Sequence, residues 1–292
     1  MIKLSNEELT VAINEHGAEL TSVKDVQTHV EYMWQADKKF WGRHAPVLFP
    51  IVGRLHDDQY RYQDKTYSMT QHGFARDQDF LVTAQTATSV TFTLKDNDAS
   101  RLKYPFAFQL DIMFSLLGRQ LSVEYRVANP SDEPIYFSIG GHPGFNVPLG
   151  DSQGTFNDYT VAATPAQTYS SLKLDGPFSD VDHPTTLNFE RPMKLNHDLF
   201  EHDAKILQLN QHPATLTLTS GLNEHGIAVT LQNADYVGVW SPYPAKAPFV
   251  CIEPWWGIAD AVNADGDLTK KFGIHELYPQ AMFNADYSIE YF

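Results

Sequence analysis

The chain has 292 residues, 42% of them hydrophobic and 13% aromatic, with one cysteine. Its formal net charge is −15, from 36 acidic against 21 basic residues, a balance that repels nucleic acid and anionic membrane surfaces. Cys251 alone cannot form an intrachain disulfide, which favours a reducing, cytoplasmic setting, and the sequence shows neither a signal-peptide pattern nor about 18 consecutive apolar residues.

In chain order the sequence reads as strands almost throughout. Short runs suited to a sheet occur at 9–13, 60–69 and 80–94. Phe106, Phe108, Leu110, Ile112, Phe114 and Leu116 alternate with less apolar neighbours, and after Gly118 so do Leu121, Val123, Tyr125 and Val127. That pattern predicts an antiparallel hairpin with one buried face. Further runs follow at 135–139, 216–220, 227–231, 236–240, 249–253 and 287–292. Turn signals such as Glu15-His16-Gly17 and Gln63-Asp64-Lys65 between runs favour stacked antiparallel sheets over crossover helices. Helical turns are expected only over 37–41 and 198–207. From Pro143 to Pro192 the chain is dense in Pro, Gly, Ser, Thr and Asp, and we expect an ordered covering loop there rather than a linker, because candidate site groups fall on both sides of it.

Four motifs carry chemistry. The first is Gly53-Arg54-Leu55, where a charged side chain in an apolar context needs a ligand or a partner carboxylate. The second is His72-Gly73, whose histidine gains meaning only in company. Gly140-Gly141-His142-Pro143-Gly144 closes a strand-like run, and its glycines permit unusual backbone conformations around a group that titrates near ~6.5. A structural, hydrogen-bonded histidine is the competing reading. Last comes Glu253-Pro254-Trp255-Trp256, a carboxylate ending an apolar strand among tryptophans. Such surroundings raise a pKa toward neutrality unless the group is simply paired with an arginine. The remaining histidines in turn-like settings, His16, His29, His183, His197, His212 and His225, read as solvated, and no histidine pair has close zinc-ligand spacing, so no metal is expected.

These four motifs, in this order on an all-β chain, resemble the aldose 1-epimerase, or galactose mutarotase-like, family over nearly the whole length, and most nearly its bacterial lactose-operon-associated subgroup. The resemblance implies one domain over 1–292, a large antiparallel β-supersandwich with a cleft across one sheet. It implies a cofactor-independent isomerase acting on a small-molecule sugar. In it Glu253 would be the general base on the anomeric hydroxyl and His142 the general acid at the ring oxygen, and His72 would hydrogen-bond near the ring oxygen. Arg54 would grip hydroxyls with Asp203, for which Asp198 is the fallback, and Trp255 would offer an apolar face. Relatives acting on hexose 6-phosphates resemble the chain at Arg43 and Arg76, which opens a sugar-phosphate alternative; a non-catalytic carbohydrate-binding protein is the other.

Overall fold

Alternation in the central runs is realised as pairing. In the computed structural model, which describes residues 1–150 and 153–292, Gln109–Leu117 and Gln120–Ala128 pair antiparallel across the Gly118 turn. Leu110, Ile112, Phe114 and Leu116 on one arm and Leu121, Val123, Tyr125 and Val127 on the other are buried, as expected for side chains on one face of a pleated pair. This hairpin lies within a nine-stranded antiparallel sheet, with Met282–Tyr291 on one side and Ser89–Lys95 on the other.

A second, eight-stranded sheet carries the motifs. Its order runs Phe178–Asn188, Thr168–Asp175, Lys205–Gln208, Tyr236–Trp240, Phe249–Trp256, Ile139–Gly141 and Val47–Leu48, and Gly144–Asn146 also pairs with Phe249–Trp256. The two sheets meet face to face, so Tyr125 of the nine-stranded sheet lies edge-on to Trp256 of the other, with ring centroids 6.1 Å apart. The fold class is thus all-β with large antiparallel sheets, as the sequence implies.

Phe249–Trp256 is buried at every residue. Val250, Ile252 and Trp256 face the core between the sheets. By the period of two, Phe249, Cys251, Glu253 and Trp255 face the opposite side, where apolar clusters form around Trp34 and Trp255. On its neighbour, Gly140 pairs with Trp255 and Gly144 with Cys251. Both pairs keep the same register, which sets His142 directly across from Glu253 on that second face. The strand does not end at Glu253, as the sequence suggested, but continues through Pro254. Only short strands flank it there, and proline is tolerated where the ladder is broken.

Gly140 and Gly141 are needed for close approach rather than for an unusual φ, which corrects the sequence reading. A Cβ on Gly140 would stand 2.9 Å from the Pro254 carbonyl oxygen and the Trp255 ring, and one on Gly141 would stand 2.9 Å from the hydroxyls of Tyr125 and Tyr287.

Pro143 to Pro192 is not one covering loop. It contains Gly144–Asn146, Tyr159–Thr164, Thr168–Asp175 and Phe178–Asn188. In the last of these only Ser179 is buried, and an edge strand of this kind leaves no apolar alternation to detect. Covering is nevertheless one of its roles, because Leu174 and Pro177 wall the cleft. The helical expectation over 198–207 is likewise corrected to a short 3-10 turn, His197–Phe200, followed by the strand Lys205–Gln208. His197 is partly buried and stacks on Phe156 at 4.0 Å rather than standing free in solvent.

Because the Tyr125 and Tyr287 hydroxyls occupy the space beside Gly141, Gly141→Ala should lower stability by about 1–3 kcal/mol. Gly221→Ala, where a Cβ meets nothing within 4 Å, should change it little. Urea midpoints of the two variants make the comparison.

Candidate active site

A cavity of about 290 Å³ opens on the outer face of the eight-stranded sheet, and its lining includes Arg54, His72, Arg76, His142, Asp203, Glu253 and Trp255. It lies at the small end of the ~300–1,000 Å³ typical of small-molecule sites. Seven of the eight candidates therefore share one cleft. Arg43 does not line it.

His142 and Glu253 form its floor. His142 Nε2 stands 3.0 Å from Glu253 Oε2, and the two residues are 8% and 1% exposed. His142 Nδ1 and Glu253 Oε2 have no hydrogen-bond partner, so the 3.0 Å contact brings the two groups together without satisfying them. Burial drives each toward its neutral form: the His142 pKa falls to about 3. Glu253 is pushed well up, first by burial and then by the nearby Asp203 carboxylate, while the Trp255 indole N–H opposes this without reaching hydrogen-bond geometry. Both shifts run the same way, favouring a neutral imidazole beside a protonated carboxyl.

His72 is held by its own strained turn. Its φ is +66° and that of Gly73 +70°, a left-handed conformation uncommon outside glycine. Three hydrogen bonds lock it: His72 N–H to the Gly53 carbonyl at 2.8 Å, Phe49 N–H to the His72 carbonyl at 3.2 Å, and Gly53 N–H to His72 Nδ1 at 3.0 Å. With Nδ1 accepting, the proton of the neutral ring sits on Nε2, which also lies 3.3 Å from Gln71 Nε2. Burial, and after it the positive neighbours, hold its pKa well down. The His72 and His142 rings meet edge to face at 5.6 Å.

Arg54 is half-exposed, donates to Gln71 Oε1 at 3.2 Å and has only a loose 3.8 Å contact with Asp58. It stays available to a ligand. Behind it, buried Asp260 accepts the His56 N–H at 3.0 Å and donates its own N–H to the Arg54 carbonyl. The fully buried Lys271 amine donates to the carbonyl of Ile258, a wall residue of the cleft. Asp203 lies at the mouth, also with a left-handed φ of +66°, and partial enclosure raises its pKa. The fallback Asp198 sits on the 3-10 turn outside the cleft.

The two phosphate candidates differ, since Arg43 is paired outside the cavity while Arg76 lines it with Nε unpartnered. Arg43 Nη2 donates to Asp77 Oδ1 at 2.6 Å, and Arg76 Nη2 donates to the Gln71 carbonyl at 2.6 Å. They do not converge as a pair on the cavity. Trp41 and Trp240 were missed from sequence. Trp41 lies across the His142 ring at 4.8 Å, and Trp240 meets it edge-on at 5.5 Å. Register is the signal that could have found Trp240, since it pairs with Cys251 while Gly238, opposite Glu253, leaves room for the Trp255 ring.

Possible metal donors were sought as histidine pairs, whereas the cluster the fold forms is mixed. Ligand atoms of His142, Cys251 and Glu253 lie within 4.8 Å of one another. Burial pushes the Cys251 thiol well up, and a protonated thiol is a poor metal ligand. These residues fit proton exchange better than metal binding.

A buried strand-borne histidine and carboxyl in contact, with a second imidazole beside them in one cleft, are groups suited to proton transfer. The family described as Aldose 1-epimerase matches residues 1–270, and the chain belongs to it. It is 31% identical over 297 aligned residues to Protein LacX, chromosomal, of Lactococcus lactis subsp. lactis, covering 99% of this chain and 98% of that one. Among solved structures, a galactose mutarotase related enzyme from Lactobacillus acidophilus matches with a TM-score of 0.97 at 42% identity, covering 100% of this chain and 97% of that one. A galactose mutarotase-like protein from Lactobacillus casei ATCC 334 matches at 0.91 and 35%, over 100% of both.

If burial holds both groups neutral, Glu253 is a protonated acid at pH 7. The infrared difference spectrum between the parent and Glu253→Gln should then show a protonated carboxyl band at neutral pH, and the His142 nitrogens should show no NMR titration near ~6.5. A carboxylate band, or a normal histidine titration, would contradict the assignment.

Proposed function

We propose that the protein is a mutarotase that interconverts the α and β anomers of an unphosphorylated aldose. The observation that carries this reading is the convergence of His72, His142 and Glu253 on one buried cleft. Ring opening requires a proton to leave O1 while another reaches O5; the C1–O5 bond breaks as the C1–O1 double bond forms. Rotation about C1–C2 exposes the other face of the aldehyde, and the reverse transfers close the ring. Binding alone would need neither proton carrier, which speaks against a non-catalytic carbohydrate-binding protein.

In this reading Glu253 passes its resting proton across the 3.0 Å contact to His142 when a sugar's hydroxyls enter. The carboxylate then takes the O1 proton, and the imidazolium protonates O5. His72 Nε2–H donates to the ring oxygen or a neighbouring hydroxyl, Arg54 and Asp203 hold hydroxyls farther along, and Trp255 faces the ring's C–H surface. No net proton is gained or lost over the cycle, which suits general acid–base catalysis at neutral pH. Kinship with the lactose-operon-associated subgroup and a cytoplasmic setting belong to the same reading. They rest on the 31% identity to Protein LacX and on the single cysteine.

Exchange between anomers of glucose and galactose, followed by NMR or by polarimetry on freshly dissolved sugar, should accelerate with the protein present. Glu253→Gln and His142→Ala should each lose about 10²- to 10⁴-fold in kcat. Glu253→Gln should fold at least as stably as the parent at pH 7, since an unfolded glutamate ionises there while the folded one is protonated. Near-native turnover in either folded variant would refute the roles.

The sugar-phosphate alternative requires Arg43 and Arg76 to converge on the cleft, and Arg43 instead pairs with Asp77 and does not line it. The parent should therefore turn over glucose with higher kcat/KM than glucose 6-phosphate. In the double variant Arg43→Ala with Arg76→Ala the two sugars should be affected alike. Selective loss on the phosphate would instead favour that substrate.

A further inference from the structure

Two buried charges behind the cleft take no part in the proton transfer. Asp260 and Lys271 are 3% and 6% exposed, and Asp260 Oδ1 stands 3.9 Å from Lys271 Nζ, too far for a hydrogen bond. Each spends its hydrogen bonds on backbone instead. Asp260 Oδ2 accepts the His56 N–H at 3.0 Å, and the Asp260 N–H donates to the Arg54 carbonyl at 3.0 Å. Arg54 is thereby bracketed by a single residue, at its own carbonyl and again at His56. The Lys271 amine donates to the carbonyl of Ile258 and, at 3.3 Å, to that of Phe272.

The backbone held in this way is the backbone that walls the cleft, since Gly53, Arg54, Ile258 and Ala259 all line it. A Cβ on Gly53, whose φ is +76°, would stand 2.4 Å from the Ala259 Cβ, so the two segments meet with no side chain between them. The Asp260 carbonyl accepts the Ser179 N–H at 2.7 Å, and Ser179 Oγ donates to the Ala259 carbonyl at 3.3 Å, which ties in the edge strand Phe178–Asn188. Behind the loop lies a cavity of about 320 Å³ whose lining includes Leu55, Asp260, Ala261 and Lys271. Open space rather than packed core backs the loop on that side, and its place depends on the polar clamp.

A buried ion pair adds little net stability over apolar residues of similar volume, so two charges at this depth call for another reason. Arg54 supplies it. Its guanidinium has one hydrogen bond, to Gln71, and a 3.8 Å contact with Asp58, so its aim is set by its main chain more than by its side-chain partners. We propose that the Asp260–Lys271 pair is the positioning device for Arg54, setting affinity for a sugar's hydroxyls without touching them. This deepens the mutarotase reading and rests on its assignment of Arg54 to the substrate. The His142–Glu253 contact is held by other strands, so loosening the clamp weakens binding and spares the proton transfer.

The test is a cycle of Arg54→Ala and Asp260→Ala, singly and together, with Asp260→Asn beside them. Anomer exchange of glucose and galactose by NMR gives kcat and KM, and tryptophan fluorescence gives affinity. Asp260→Ala should raise KM roughly three- to tenfold with kcat held within about twofold. Asp260→Asn keeps an acceptor for the His56 N–H and should recover most of the loss. In the Arg54→Ala background the Asp260 substitution should add less than about twofold, because the group it aims is gone. Should Asp260→Ala not fold, the double variant Asp260→Asn with Lys271→Met leaves no charge buried alone; it strips the Ile258 carbonyl of its donor and should raise KM in the same Arg54-dependent way. An unchanged KM, a fall in kcat alone, or an equal loss with and without Arg54 overturns the proposal. Arg54-dependent weakening of sugar binding, with no acceleration of anomer exchange by the parent, would support the positioning role while sinking the mutarotase reading.

Discussion

The contact between His142 and Glu253 is the constraint on which the site depends. Each side chain is more than nine-tenths buried, and neither could be buried charged and alone without a cost of several kcal/mol. Set opposite each other by strand register, both are driven toward their neutral forms by burial. The same register requires a glycine at 141, because His142 can reach its place only if the preceding backbone lies against Tyr125 and Tyr287. The face-to-face packing of the two sheets thus ends at the His142 imidazole.

Around that pair the protein uses strain and stacking where a ladder hydrogen bond is lacking. The left-handed φ of His72 costs of order 1–3 kcal/mol, offset by hydrogen bonds from both its backbone groups and from its ring nitrogen. The result is a single tautomer aimed one way. Trp41 and Trp240 close the remaining sides of the His142 ring and keep it out of water, which is what holds its pKa down. Groups that are costly to bury are pinned by neighbours with no polar role, and proton affinity is set more by packing than by ion pairs.

The parts of this that were legible in the sequence are those written in alternation and in local motif. Phe114, Leu116, Leu121 and Val123 announce a one-sided hairpin, and the family resemblance placed seven of eight candidates in one cleft. Two kinds of information were out of reach. Polar edge strands such as Phe178–Asn188 bury too few side chains to leave a periodic trace. The fate of an individual charge also depends on a partner distant in sequence: Arg43 looks like a ligand group until Asp77 is seen 2.6 Å away. The glycines at 140 and 141 were noticed for a reason the structure replaces, since they answer to neighbouring strands rather than to their own dihedral angles.

Electrostatics bear on the substrate from a different side. Positive side chains gather at one end of the cleft, where Arg54 and Arg76 lie near His72, and both already donate to Gln71. Acidic side chains gather at the other end, where Asp203 leads outward to Asp175 and Glu201. A phosphorylated sugar arriving at a molecule of net charge −15 would meet the acidic end unfavourably. At the basic end each guanidinium keeps an unpartnered Nε, so it is the acidic end that sets a charged ligand apart. A neutral polyol has no such difficulty, because it can donate to the carboxylates at one end and accept from the guanidinium groups at the other. The polarity of the cleft therefore matches a ligand with many hydroxyls and no charge, independently of the proton transfer at its centre.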